Sequence, residues 1–317
     1  MSDLPFDVPV TAGAGAGVRV GAGTLAGLTR RDAVRAAACA HLDRRRRLGR
    51  LATVMCVGAL ALSLLPLVAL VVYVVSRGLP ALSGGFLVHT PTPEGIPGNG
   101  IGNAVVGTLI IVALAMAMAV PVGLAAALFV VERPGRLSGA LRLAADVLTG
   151  TPSIAIGVFA YLTFVLAFGY SGLAGSFALA VLMLPIMLRA DEEAMSTVPD
   201  ELWEAGLALG SPRARVVRSV VLRSALPGIV TGNLLAMARA IGETAPLIFT
   251  IFGSQFFVFR PTAPMAALPL TIYTNATEPY ADAQRTAWGT ALVLMVLVVL
   301  LSVAARAVAA YLHRKAR

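Results

Sequence analysis

The sequence predicts an all-α membrane protein with six transmembrane helices and both termini in the cytoplasm. Three observations carry this. The chain has 317 residues, of which 58% are hydrophobic and only 13% charged, whereas a soluble domain has about half its residues apolar and about a quarter charged. Its apolar residues come in blocks near the ~20 residues that a helix needs to cross hydrocarbon. Its basic residues collect on alternate sides of those blocks. A soluble enzyme, a disulfide scaffold and a disordered regulator are excluded by the same composition, with its mean hydropathy of +0.84.

Residues 1–50 form a basic arm with nine Arg against Asp3, Asp7, Asp32 and Asp43. Ala12 to Gly27 is an Ala/Gly repeat, too poor in large apolar side chains to offset chain entropy, and reads as disordered. No apolar h-region precedes Leu51, so no cleaved signal peptide is expected. Six apolar blocks follow, at about Leu51 to Val75, Val105 to Val131, Leu143 to Phe168, Gly172 to Leu188, Ala225 to Phe252 and Ala287 to Leu312. Residues 51–312 therefore make the membrane domain, and 313–317 a basic tail. The outer segments Ser76 to Asn103 and Gly253 to Thr286 are rich in Pro, Gly and Thr and read as ordered or semi-ordered caps.

Orientation follows from the Lys and Arg bias. With the N-terminus inside, 21 of the 25 Lys and Arg fall on the cytoplasmic side, while Arg77, Arg260 and Arg285 lie outside and Arg239 lies within a span. The net charge of +9 sits almost wholly at the two ends, where it anchors the chain against membrane lipid; nucleic acid is not an expected partner. Cys39 and Cys56 make no disulfide framework, and His41, His89 and His313 have no neighbours at metal-ligand spacing. Lys315 is the only lysine and lies in the tail, so the chain has no P-loop and cannot hydrolyse ATP by that route.

Arg189 to Ser224, the longest cytoplasmic loop, reads as a hairpin at about 190–224. Thr197 with Asp200 resembles a capping box, and Leu202, Ala205 and Leu209 then share one helical face. Gly210 ends that helix. Ser211 and Pro212 are expected as N-cap and first residue of the next, with Val216, Val217, Val220 and Val221 on one side and Arg215 and Arg218 opposite. Such an element either lies on lipid headgroups or docks into a partner's groove.

Glu204-Ala205-Gly206, three residues, then Gly210 resembles the EAA loop of ABC importer permeases. Gly206 stands where the family usually has a second Ala, and Arg223 where its closing Pro often sits. Leu207 to Thr250, Gly150 to Gly157, the Leu-Pro before Arg189, and the segment leading into the last span are similar to PstA-type permeases of the phosphate-specific ABC importer. The resemblance covers most of Leu51 to Leu312, and the run Gly242 to Pro246 lies within it. It implies a type I ABC importer permease fold in a bacterial plasma (inner) membrane. It also implies a homologous second permease, an ATPase dimer and an extracytoplasmic phosphate-binding protein as partners. No cofactor is expected on this chain; ATP and Mg are expected on the ATPase. Glu204, Ala205, Gly206 and Gly210 become the ATPase-coupling residues.

Arg239 and Glu243 are four residues apart near the middle of the expected fifth span. Each costs about 2.5 to 3.5 kcal/mol at mid-membrane, so both should face protein or water. They read either as an internal lock or as a path for an oxyanion, with Arg239 supplying a planar fork of donors. Thr244, Asn233 and Thr231 are further polar candidates on that span. Gly150, Thr151, Pro152 and Ser153 interrupt the third span, either as a packing kink or as a polar bend beside the path. Sulfate importers share the hairpin, which leaves another oxyanion open as substrate. An ion-coupled secondary transporter with Arg239 and Glu243 as relay, and a scaffold without transport, are the readings from other classes.

Overall fold

The protein is described by a computed structural model over residues 30–316, positions 94 and 97 excepted. The expectation for the Ala/Gly arm lies outside these residues. The chain divides into two units, Met1–Ala69 and Leu70–Arg317. The described part of the first belongs to α1, Arg30–Gly78. This helix begins well before Leu51, because the Ala, Arg and Leu of the arm are strong helix formers and nothing breaks the run. Leu51, Val54, Leu62 and Leu65 are exposed along it.

The second unit is built on α2 (Gly102–Glu132), α5 (Gly172–Ser196) and α7 (Arg213–Ile241). Small side chains let these helices approach: Ala115 and Ala119 of α2 and Ala236 and Ala240 of α7 join Leu179, Met183 and Met187 of α5 in one buried cluster. Interfaces in membranes depend on such close van der Waals packing, since lipid is as apolar as the side chains. A second cluster, Ala194, Met195, Val198, Val221, Ala225 and Ile229, packs the end of α5 and the start of α7 together.

The expected third span is not one straight helix. Residues Arg136–Gly150 form α3 and Ser153–Phe168 form α4, meeting at 103°. Thr151 is extended at φ −74° and ψ 131°, as a residue before proline must tend to be, and Pro152 contributes no N–H to carry the helix on. Five helices among the described residues are long and apolar enough to cross a membrane, or six if this bent pair counts as one.

The fifth span also departs from expectation, running Arg213–Ile241 rather than Ala225 to Phe252. Pro246, four residues beyond Gly242, would clash with that carbonyl in a continuous helix. The chain therefore breaks at Gly242 and restarts as α8, Ala245–Thr250. Between Gly253 and Thr286, expected only as a cap, lies a further helix, α9 (Leu268–Thr277), which opens on Leu268 and Pro269. Leu268 is buried and its N–H donates to Thr108 Oγ1 at 2.8 Å. The chain ends in α10, Ala281–Ala316.

Candidate functional site

The break between α3 and α4 and the end of α7 open onto one cavity of about 490 Å³. Its walls include Thr149, Thr151, Pro152 and Ser153 from the break, Pro185 and Ile186 from α5, and Arg239 and Glu243. Four of the five expected path residues, Thr151, Ser153, Arg239 and Glu243, thus line the same space. The fifth, Thr244, is not among the lining residues; it precedes α8, where its carbonyl accepts from Leu247 and Ile248.

Arg239 sits in the last turn of α7, and Glu243 lies just past the helix end. Neither is at mid-helix as the uninterrupted span implied. Arg239 Nη2 stands 3.7 Å from Glu243 Oε1, with the arginine side chain 65% exposed and the glutamate 21%. That separation is an ion pair without a hydrogen bond. The guanidinium therefore keeps its donor fork toward the cavity uncommitted to Glu243. Ser153 and Ile156, from the first turn of α4, line the same cavity, and the positive end of a helix dipole favours negative charge there. Thr151 Oγ1 donates to Val147 O at 2.8 Å, which satisfies a carbonyl freed where α3 stops. The Thr149 hydroxyl likewise donates to Ala145 O at 2.8 Å, so the cavity combines a cation, a helix N-terminus and the Ser153 hydroxyl, which suits transient contact with an oxyanion.

Two polar candidates on α7 are placed elsewhere. Thr231 Oγ1 donates to Pro227 O within its own helix at 2.7 Å, and Asn233 is buried toward α5. There it accompanies Asp191, whose side chain is 0% exposed. Among the described residues, both Asp191 oxygens and Asn233 Oδ1 lack a hydrogen-bond partner. Sequence reasoning passed over Asp191 as one acid in a charged loop, since nothing in its local pattern marks it as buried.

The hairpin expected at about 190–224 is formed by α6 (Asp200–Ala208), a turn, and the start of α7. Gly210 ends α6 with φ +76°, a conformation that favours glycine. The expected capping box does not form: Thr197 closes α5, donating to Ala194 O at 2.8 Å. Pro199 is the residue before α6 and carries no side-chain cap. Its ring fixes the chain entry after Thr197 has already been used. Likewise Pro212, rather than Ser211, precedes the next helix.

Glu204 and Ala205 are exposed, as are Leu202, Leu207 and Leu209, the last at 86%. Gly206 faces inward instead. A Cβ there would lie 2.9 Å from Val216 Cγ1, so the departure from alanine lets the two arms of the hairpin close. Of the four valines expected on one side, Val216, Val217 and Val221 are buried and Val220 is half-buried. Arg213 fastens the hairpin further, its guanidinium carbon 5.9 Å from the Trp203 ring centre and its Nη2 donating to Glu132 O at 3.2 Å.

Comparison with known proteins agrees with this architecture. Residues 119–317 match the family described as binding-protein-dependent transport system inner membrane component. The chain is 39% identical over 273 residues to phosphate transport system permease protein PstA of Xylella fastidiosa (strain Temecula1 / ATCC 700964), covering 84% of this chain and 94% of the relative. To the protein of the same description from Yersinia pestis it is 36% identical over 267 residues, 83% and 90% of the two chains. To PstA 1 of Mycobacterium tuberculosis (strain ATCC 25618 / H37Rv) it is 39% identical over 272 residues, 83% and 87%. Among solved structures, a chain of the MetNI methionine ABC transporter in an inward-facing conformation superposes with a TM-score of 0.57 at 21% identity, over 67% of this chain and 95% of that one. That likeness speaks to the fold alone. The chain belongs to the family of inner-membrane components of binding-protein-dependent transport systems, as a multi-pass, non-catalytic transport subunit.

Proposed function

We propose that this chain is the permease subunit of an ATP-driven importer of inorganic phosphate, and that phosphate passes through the cavity between Arg239 and the first turn of α4. The observation that carries this reading is the convergence of Arg239, Glu243, Thr151 and Ser153 on that one space. The relatives described as phosphate transport system permease proteins support phosphate as the substrate. Arg239 offers charge-assisted bonds to the anion, and Glu243 at 3.7 Å offsets part of its attraction so that the anion also leaves. The topology is six spans with both termini in the cytoplasm, in a type I importer arrangement with a homologous second permease. The hairpin residues Glu204, Ala205, Gly206 and Gly210 dock the ATPase dimer, which holds ATP and Mg, and a phosphate-binding protein delivers substrate from outside.

The test is reconstitution of the complete transporter with Arg239→Leu and Glu243→Leu together. Either change alone leaves the other charge without its partner at the cavity wall and so changes two things at once; the double change removes both charges. A phosphate path predicts a stable double variant that still hydrolyses ATP. Labelled phosphate uptake in it falls about ten- to a hundredfold, equivalent to one or two charge-assisted hydrogen bonds. Near-normal uptake per assembled complex would reduce the pair to a structural lock, and preferential uptake of labelled sulfate by the wild type would reassign the substrate.

A further inference from the structure

At the cytoplasmic end of α5 four charges are tied into a single cluster with α3. Arg189 Nη2 donates to both Asp146 oxygens, at 2.6 and 2.7 Å, and Arg189 Nε to Oδ1 at 3.2 Å. On its other side Arg189 Nη1 reaches Glu192 Oε2 at 3.4 Å, and Glu192 Oε1 receives Arg142 Nε at 2.6 Å. Charges alternate through Asp146, Arg189, Glu192 and Arg142, two from each helix.

Isolated surface ion pairs contribute little, but a bidentate arginine within a network is the recognised exception. Here the network has little competition. Within α3 only Ser138 and Ala145 are buried, while Leu137, Leu143 and Val147 are exposed. Apolar packing therefore holds α3 weakly, and its placement against α5 rests largely on these ion pairs.

The two ends of this connection differ in what they touch. Beyond Asp146, the last turn of α3 supplies Leu148 and Thr149 to the cavity wall, just before the break at Thr151 and Pro152. Beyond Glu192, α5 passes directly into the hairpin through a short, hydrogen-bonded turn, with Thr197 N–H donating to Glu193 O and Val198 N–H to Met195 O, each at 3.2 Å. Met195 and Val198 are packed in the same buried cluster as Val221 of α7. A displacement of the hairpin thus reaches Glu192 and Arg189 through a stiff element, and only the ion pairs carry it across to α3.

We propose that the cluster of Asp146, Arg189, Glu192 and Arg142 is the strut that couples the hairpin to the cavity wall. Its members are positioning residues: they set where the wall from Leu148 to Ser153 stands and touch no substrate. This rests on the transport reading given above. The test uses the complete reconstituted transporter carrying Asp146→Arg, Arg189→Asp, or both together, and measures phosphate uptake per ATP hydrolysed alongside the amount of assembled complex. Each single reversal lowers uptake per ATP about three- to thirtyfold, the range for residues that carry coupling between sites, with assembly unchanged. The double reversal restores the bidentate pair in mirror sign and brings uptake per ATP back to within about threefold of wild type. Where a reversal prevents assembly, Asp146→Asn and Arg189→Gln replace it with the same readout. An unchanged ratio in the single variants, or a double reversal as impaired as they are, overturns the proposal. The Arg239 and Glu243 double variant run in parallel separates the two ideas: normal uptake there, with uncoupling in the Asp146 variants, keeps the strut and removes only the anion role of Arg239.

Discussion

Substituting Gly232 by alanine should separate α5 from α7, and the size of the effect follows from one distance. Ala190 and Ala194 on α5 face Gly232 and Gly228 on α7, with four-residue spacing on both helices. A Cβ at Gly232 would lie 2.5 Å from Ala190 Cβ, and one at Gly228 would lie 2.8 Å from Ala194 Cβ. Carbon atoms rest at about 3.5 to 4.0 Å, so the helices must part by roughly 1 Å to admit the new methyl. Overpacking of this kind costs about 1 to 3 kcal/mol. The strain falls beside the buried Asp191 and Asn233, where the interface cannot relax without uncovering polar atoms. Ala190→Gly alone costs about 0.5 to 1 kcal/mol through backbone entropy. Together, Gly232→Ala and Ala190→Gly rebuild the same methyl-against-glycine contact with the partners exchanged. The double variant is therefore expected near wild-type stability, with a coupling energy of at least about 1 kcal/mol. Denaturant unfolding of the purified subunit in detergent measures all four corners of the cycle. A wild-type midpoint for Gly232→Ala, or strictly additive effects, would refute close packing at this crossing.

Two further predictions concern other parts of the molecule. Asp191→Asn supplies an N–H to the unpartnered Asn233 Oδ1 without a charge and should match or exceed wild-type stability by about 1 kcal/mol, whereas Asp191→Lys should abolish folding; a thermal midpoint for the asparagine variant well below wild type would count against this. Gly210→Val forces a β-branched residue to φ +76°, at a cost of about 1 to 3 kcal/mol, and with Glu204→Lys it should leave the chain inserted but reduce co-purification of the ATPase; wild-type co-purification and uptake in both variants would return the hairpin to a lipid-surface role.

Much of the hairpin was legible because its signals are local. Gly210 marks its own turn through backbone sterics, and the valine spacing at Val216, Val217 and Val221 marks its own buried face. The capping box expected at Thr197 does not form, for an equally local reason: Pro199 dictates where α6 begins. The end of α7 is likewise set by local signals. The stretch from Ala225 to Phe252 is long and apolar enough overall to read as one span, and only Gly242 and Pro246 signal that the helix stops at Ile241.

From the sequence alone come the apolar blocks, the orientation expected from their flanking basic residues, the hairpin turn and the family resemblance. Each is a property of a residue and its near neighbours, so one chain read in order suffices. The tertiary structure alone decides that Thr151 and Ser153 meet Arg239 and Glu243 across one cavity, since the 103° turn at Pro152 sets a direction that composition does not encode. It alone buries Asp191 and joins Arg189 to Asp146, 43 residues away. A carboxylate is exposed, paired or buried according to what the next helix presents to it, and that is settled only when the helices pack.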